Sequence, residues 1–532
     1  MKIVVADKIS DRGLEILREP GWQVVIPEKG KVEAELADAE GLVVRSATRV
    51  TDELLEKASR LRVVGRAGVG VDNIDLDAAT RRGVLVMSTP GGNAISVAEH
   101  TFALLLALAR NVPRHDAAIR AGRWEKGSSA GVELRGKTLG LIGLGRIGSE
   151  VARRAHAFEM PVLAYDPYIT ASVAQEAQVE LVALDDLLAR ADFVSLHTAL
   201  SPSTEKLINA ETLGRMKQGA RLVNAARGEL VDEAALAEAL KSGHLAGAAL
   251  DVFATEPPRD SPLIGLHNVI ATPHVAGSTE EAQEEVGTLI AQQVRDFLAE
   301  GILRNAVNLP PLSTEQYRRL RPYLDLAERL GSMAAQVAEG WPSKLRITYA
   351  GEPAELGTNT LRSAVLAGLL NTVLSEKVNL VNAGTVAAAR GLLVEEHTRR
   401  RDYGFPHTIE VAALCEPPAP CVRSISIEGT VLHGTLPRIL NIDGIALETP
   451  LEGTLLYLRN RDEPGVIGQI GTILGSRGVN IATFALGRRD AVRGAEAVSL
   501  VRLDGEVTES ILQPIRKIPA ITESKLVRLK SP

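Results

Sequence analysis

The sequence predicts an α/β protein in which two doubly wound parallel-sheet domains are followed by an α+β segment and a terminal unit of β-α-β-β-α-β order. Three observations carry this. Short β-branched runs alternate with longer helical segments through the first two thirds of the chain; a glycine-rich turn joins one strand directly to one helix; and the rhythm changes at Pro310-Pro311. A chain of 532 residues also exceeds what one hydrophobic core serves, so several domains are expected.

The strands of the two parallel sheets are read at Ile3 to Ala6, Leu42 to Arg45, Val63 to Arg66, Thr138 to Ile142, Val162 to Tyr165, Phe193 to His197, Leu222 to Ala225 and Val269 to Ala271. Their apolar character on both faces fits strands covered by helices on either side. The long helical run Ala94 to Arg110 divides the first strands from the rest. After residue 310, helices at Glu315 to Glu339 and Leu361 to Leu374 alternate with β-rich Lys344 to Tyr349 and Val422 to Leu432, with no recognisable catalytic motif. The last unit reads strand Thr454 to Asn460, helix Val466 to Arg477, strands Ile481 to Arg488 and Ala495 to Leu503, helix Thr508 to Lys517 and strand Ile521 to Leu529. This is the ferredoxin-like order.

A hydrophobic fraction of 45%, a charged fraction of 24% and a net charge of -6 describe an ordinary globular protein and favour neither a nucleic-acid nor a membrane partner. The opening Met1-Lys2-Ile3-Val4-Val5 runs straight into a strand without a leader pattern, and no apolar run approaches the roughly 18 residues that cross a bilayer. A cytoplasmic location is expected. Cys415 and Cys421 match no metal or redox spacing and are read as structural or incidental.

The chemistry begins at Gly143-Leu144-Gly145-Arg146-Ile147-Gly148, which follows an apolar strand and opens a helix. In that context G-x-G-x-x-G is a dinucleotide-binding fingerprint of the Rossmann type. Gly143 permits the tight turn, Gly145 lets a pyrophosphate approach the backbone, and Gly148 lets the helix pack on the strand. Asp166 lies 18 residues beyond Gly148, at the end of the next strand, where a carboxylate accepts from ribose hydroxyls. It would repel a 2′-phosphate, and Pro167-Tyr168 brings no Arg to compensate, so NAD is expected rather than NADP.

Removing hydride from an alcohol carbon needs a base for the hydroxyl proton, a cation for the neighbouring carboxylate and a group that orients the base. Arg227, Glu256 and His274 each follow a strand and offer these roles. A guanidinium captures a carboxylate bidentately, and a Glu bonded to an imidazole fixes its tautomer and favours its protonated form.

Together these segments resemble the D-isomer-specific 2-hydroxyacid dehydrogenases over about residues 1 to 310. The resemblance implies that Arg227 holds the substrate carboxylate, that Glu256 supports His274, and that His274 takes the hydroxyl proton as hydride passes to the nicotinamide. It also implies a discontinuous flavodoxin-like substrate domain (residues 1–92 and 286–310), a Rossmann NAD domain (93–285), and a cleft between them. Val69, Arg146, Ile147, Thr198, Ala225, Asp251 and Gly277 are implied, with the residues already named, to line the cofactor.

Within the family, Val44-Arg45-Ser46-Ala47-Thr48, Gly65-Arg66-Ala67-Gly68-Val69-Gly70-Val71-Asp72-Asn73 and Gly92-Asn93-Ala94 are similar to the branch that oxidises 3-phosphoglycerate, as is the total length. That likeness implies substrate contacts at Arg45, Ser46, Asn93 and Arg227, with Arg49 and Lys126 as further phosphate contacts. Glu229 and Ala199 depart from the usual Gly and Pro of the family, which leaves the loop geometry there open. Asn460-Arg461-Asp462-Glu463-Pro464-Gly465-Val466 and Gly478-Val479-Asn480-Ile481 resemble an ACT module (residues 453–532), and residues 311–449 resemble the branch's intervening domain. An amino-acid effector, L-serine by the branch's metabolic place, is implied at Asn460, Asp462 and Asn480, together with a homo-oligomer, dimer or tetramer. A glyoxylate, hydroxypyruvate or 2-oxoglutarate reductase, and an NAD-sensing binding protein, are the alternatives. The extra 200 or so residues beyond a minimal two-domain member weigh against the former.

Overall fold

The computed structural model describes residues 1–532 except 29, 127–129, 339, 376, 401–403, 416–420, 506 and 531–532. Its first sheet has five parallel strands in the order Gln23–Val25, Lys2–Val5, Gly41–Val44, Val63–Arg66 and Leu85–Met87. This is the flavodoxin-like order. The second has seven, all parallel, in the order Val269–Ala271, Gly247–Leu250, Arg221–Asn224, Phe193–Leu196, Leu139–Ile142, Val162–Tyr165 and Glu180–Leu181. Strand order reverses beside Leu139–Ile142, which places the switch point of a Rossmann sheet at the glycine-rich turn.

Helix Ala94–Arg110 carries the chain from the first sheet to the second and buries Ala98, Phe102, Leu105 and Ala109 against it. The return is helix Glu280–Glu300, capped by the Thr279 hydroxyl, which lays Val286, Ile290, Val294 and Leu298 on the first sheet. Close approach is built in. A Cβ at Gly13 would lie 2.7 Å from the Gly287 carbonyl oxygen, so the first helix, Asp11–Leu17, and the returning helix touch backbone to backbone.

Beyond residue 310, helix Thr314–Ala338 packs on helix Thr358–Val373 and on a six-stranded mixed sheet, ordered Leu393–Arg399, Lys344–Ala350, Thr408–Leu414, Ile425–Leu432, Leu436–Ile442 and Ile445–Pro450. Cys415 and Cys421 are joined as a disulfide. The last sheet is antiparallel, with strands Asn480–Arg488, Glu496–Asp504, Thr454–Arg461 and Ile521–Arg528 in that order. The helix read at Thr508 to Lys517 resolves into a 3-10 turn, Glu509–Ile511, and the short helix Leu512–Ile515. Pro514 has no N–H to continue a regular ladder and Pro519 follows closely, so a full-length helix does not form.

One apolar core runs from the first sheet (Ile3, Val43, Val63) through the middle helices (Leu326, Leu330, Leu369) into the last sheet (Leu455, Tyr457, Val527). The terminal module is therefore not an appendage on a tether. Among the described residues no single helix is long and apolar enough to cross a membrane. The bent pair Ala94–Arg110 and Val112–Arg120 reaches the required length together, but its first helix is a core helix of the second sheet.

Candidate active site

Each glycine of the fingerprint has a separate physical duty. Gly143 has φ 97°, and a Cβ there would lie 2.6 Å from the His197 carbonyl oxygen. A Cβ on Gly148 would lie 2.2 Å from the Gly143 oxygen, so helix Arg146–Ala157 could not start where it does. At Gly145 a Cβ would meet nothing within 4 Å, which leaves the helix N-terminus open to an anion. Asp166 sits beside this turn and accepts from the Leu144 and Tyr168 backbone N–H groups, both at 2.9 Å.

A cleft of about 860 Å³ opens between the two parallel-sheet lobes. Arg45, Ser46, Val69, Asn93, Arg146, Ile147, Thr198, Ala225, Arg227, Asp251, Glu256, His274 and Gly277 all line it, whereas Arg49 and Lys126 do not. Arg146 and Ile147 bring the glycine turn to the cleft, whereas Gly143, Gly145, Gly148 and Asp166 are not among its lining residues.

His274 has a left-handed backbone, φ 54°, stabilised by its N–H donating to the Asp251 carbonyl at 2.8 Å. Its Nδ1 lies 2.9 Å from Glu256 Oε2, and Glu256 Oε1 accepts from the Phe253 N–H at 3.2 Å. With Nδ1 donating to the carboxylate, Nε2 keeps its lone pair for a substrate proton.

Asp251, expected beside the cofactor, has its carboxylate taken up by the protein. It accepts from the Thr272 hydroxyl at 2.6 Å and from the Val275 and Ala276 N–H groups at 2.9 Å, with His100 Nε2 at 3.4 Å. Burial alone would raise this carboxyl, but the hydrogen bonds from His100, Thr272, Val275 and Ala276 overcome it and hold the group below the usual range. These bonds fix the loop that carries His274, and Asp251 also lines the cleft.

Arg227 donates to the Ala226 carbonyl at 2.7 Å and pairs with Asp72 at 3.0 Å. Fully buried Asn224 holds this turn by donating to the Arg227 carbonyl at 2.7 Å and accepting from the Ala226 N–H at 3.0 Å. Gly228 could not be larger, since a Cβ would lie 1.9 Å from the Phe253 backbone. Glu229, the departure from the family pattern, lies in the 3-10 turn Gly228–Leu230, and its carbonyl accepts from the Lys206 N–H at 2.8 Å.

Sequence reasoning missed Arg66. Its guanidinium lines the cleft with a buried, unpartnered Nε, and burial followed by the neighbouring Arg227 lowers it from its ordinary value. The signal was present in Gly65-Arg66-Ala67-Gly68: only glycine fits at 68, where a Cβ would lie 1.9 Å from the Arg66 guanidinium. Arg45, Arg66 and Arg227 thus form one cationic wall. His197 was missed as well. It lines the cleft with an unpartnered Nδ1, while its Nε2 lies 2.9 Å from the Ser195 hydroxyl, and burial pushes the imidazole down to about 4. Together with the orphaned Asn93 Oδ1 and the open face at Gly145, this gives the cleft polar groups and space that suit a dinucleotide.

The effector residues expected in the last unit do not converge within one chain. Asp462 follows strand Thr454–Arg461 and pairs with Arg488 at 3.2 Å, whereas Asn480 opens the edge strand Asn480–Arg488, two strands away, and donates to Asp504 at 2.7 Å. Strand Asn480–Arg488 separates them, roughly 25 Å at 3.3 Å per residue. Asn460 is buried and donates to the Arg461 carbonyl, so it serves the fold.

The chain matches the NAD binding domain of D-isomer specific 2-hydroxyacid dehydrogenases over residues 102–276, the D-3-phosphoglycerate dehydrogenase intervening domain over 319–443 and the ACT domain over 454–520. It is 43% identical to a D-3-phosphoglycerate dehydrogenase of Methanocaldococcus jannaschii, across 99% of this chain and 100% of that one. A Bacillus subtilis enzyme of the same name is 39% identical, over 99% of each. Among solved structures, the TT0316 protein of Thermus thermophilus superposes with a TM-score of 0.53 at 39% identity, covering 58% of this chain and all of that one. A D-lactate dehydrogenase of Aquifex aeolicus, complexed with NAD and lactic acid, does so with 0.51 at 32%, over 58% of this chain and 100% of its own. With the fingerprint, the His–Glu pair and the arginine wall in one cleft, the chain belongs to the D-3-phosphoglycerate dehydrogenase family.

Proposed function

We propose that the enzyme oxidises 3-phospho-D-glycerate to 3-phosphooxypyruvate with NAD, the first step of L-serine biosynthesis, and that the cleft residues divide the work as follows. The observation that carries this is the pairing of three arginines with a Glu-oriented histidine in the cleft that opens beside the dinucleotide fingerprint. Arg227 binds the substrate carboxylate through its fork. Arg45 and Arg66, aided by Ser46 and Asn93, hold the phosphate end, so that a substrate with two separated anionic groups is matched by two separated cationic ones. His274 Nε2 takes the hydroxyl proton, and Glu256 stabilises the imidazolium that results.

When bound, NAD supplies the acceptor for the hydride leaving C2. Gly143, Gly145, Gly148, Arg146 and Ile147 would hold its phosphates, and Asp166 the adenosine ribose. Val69, Thr198, Ala225, Asp251 and Gly277 would wall its pocket. Closure of the two lobes would exclude water from the transfer. Residues 1–92 with 286–310 act as the substrate lobe, 93–285 as the NAD lobe, 311–449 as an intervening domain and 453–532 as the regulatory module.

L-serine is proposed as the effector, bound where Asp462 of one module meets Asn480 of a second. An antiparallel, two-fold-related copy would bring these opposite strand ends together, so the site needs at least a dimer. The enzyme is placed in the cytoplasm. Initial rates of NADH formation with 3-phosphoglycerate, D-glycerate, D-lactate and D-2-hydroxyglutarate test the reading. It requires the highest kcat/KM with 3-phosphoglycerate and fails if an unphosphorylated acid is preferred.

A further inference from the structure

An ion pair crosses the active cleft. Asp72 follows strand Val63–Arg66 of the first sheet and Arg227 follows strand Arg221–Asn224 of the second, and their side chains meet at 3.0 Å. Among the described residues, three carboxylates line the cleft: Asp72, Asp251 and Glu256. Asp251 is committed to the Thr272–Ala276 loop and Glu256 to His274, so of these three Asp72 is the one that faces the cationic wall. Nearby Asp7 is tied down as well, accepting from the Arg45 N–H at 2.6 Å and the Thr48 hydroxyl at 2.8 Å.

The pair is accommodated by the backbone. A Cβ at Gly70 would lie 2.0 Å from the Arg227 guanidinium and 2.8 Å from Asp72 Oδ2, so glycine there leaves room for the two side chains to meet. Asp72 is 66% exposed on its side chain, so packing does not hold it in place; its charge does.

We propose that Asp72 is a built-in competitor: it occupies the carboxylate subsite of Arg227 in the empty cleft and is exchanged for the carboxylate of the incoming acid. The inference rests on the reading of Arg227 given above. A carboxylate of the protein lies where that of the ligand must go, so every ligand that uses this subsite binds more weakly than the arginines alone would allow. An exposed pair of this kind is worth up to about fivefold in affinity, and less at high salt.

The test uses the full-length protein and two charge-removing variants, Asp72→Asn and Asp72→Ser. Oxalate, which has carboxylates but no carbinol hydrogen, is titrated calorimetrically into each in the presence of NAD, and KM for 3-phosphoglycerate is measured in parallel. Both variants should bind oxalate about two- to fivefold more tightly and lower KM by a similar factor, with the gain shrinking in roughly 0.5 M salt as expected of screened charges. Unchanged or weaker oxalate binding, or a raised KM, would overturn the inference and make Asp72 a positioning residue for Arg227. Absence of any 3-phosphoglycerate-dependent NADH from the wild type would instead overturn the reading of the substrate, while the oxalate titration would still decide the role of Asp72.

Discussion

In the proposed mechanism His274 uses its two ring nitrogens differently: Nδ1 lies 2.9 Å from Glu256, and Nε2 would receive the substrate proton. Replacing it with Ala is expected to lower kcat about 100-fold or more, the usual worth of a general base, while NAD affinity measured by fluorescence quenching stays within a few-fold. Turnover within threefold of wild type would remove His274 from the mechanism. Asp166 works by charge. Asp166→Ala should weaken NAD and narrow the ratio of kcat/KM between NAD and NADP, and a wild type that already prefers NADP would refute the ribose assignment. His197 gives a pH signature. Its folded value of about 4 lies below the ordinary 6.5, so an unfolded chain takes up a proton that the folded chain refuses. Stability is unaffected above about pH 6.5 and falls as pH drops towards 4, by about 3 kcal/mol from this group at 1.36 kcal/mol per unit. Melting temperatures between pH 7 and 4 should therefore decline less steeply in His197→Asn than in the wild type.

At the scale of elements, the seam between the mixed sheet and the last sheet is held by charge as well as by apolar packing. Arg423 pairs with Asp443 and Glu523, both at 2.6 Å, while Arg459 pairs with Asp443 and Glu496. Asp443→Ala would leave two arginines facing each other in a half-buried seam. A loss of about 2 kcal/mol is expected, seen as earlier proteolytic release of the terminal module, and an unchanged digestion profile would show that the seam does not depend on this charge. Strands with β-branched or aromatic runs, such as Val63–Arg66 and Phe193–Leu196, were legible in the sequence, and so was the glycine turn, because steric demands dictate those residues. Gly247–Leu250 was not: Gly-Ala-Ala-Leu has no strand signature and is a strand only because two neighbours hydrogen-bond to it. The same distinction separates the site residues. His274, Glu256 and Arg227 announced themselves by type and order, whereas Arg66, His197, Asn224 and Asp72 owe their roles to neighbours brought from other strands.

At the scale of the whole molecule, one apolar core is shared by the first, middle and last units, and Asn379 donates to the Gly83 carbonyl at 2.7 Å, so the terminal module is packed into the same body as the first sheet. Cutting the module away would expose the partners of Leu455 and Tyr457, so point variants are the cleaner probe of regulation. Asp462→Ala and Asn480→Ala should each lose inhibition by millimolar L-serine while the uninhibited rate is retained, and sensitivity equal to wild type would place the effector elsewhere. The proposed reaction turns on hydride leaving C2 of 3-phospho-D-glycerate. The direct measurement is to supply the substrate deuterated at C2 and examine the NADH formed by NMR. One deuterium at the nicotinamide C4 from the D-enantiomer, and none from the L-enantiomer, is the predicted result; NADH that carries no deuterium, or no NADH at all, would contradict it.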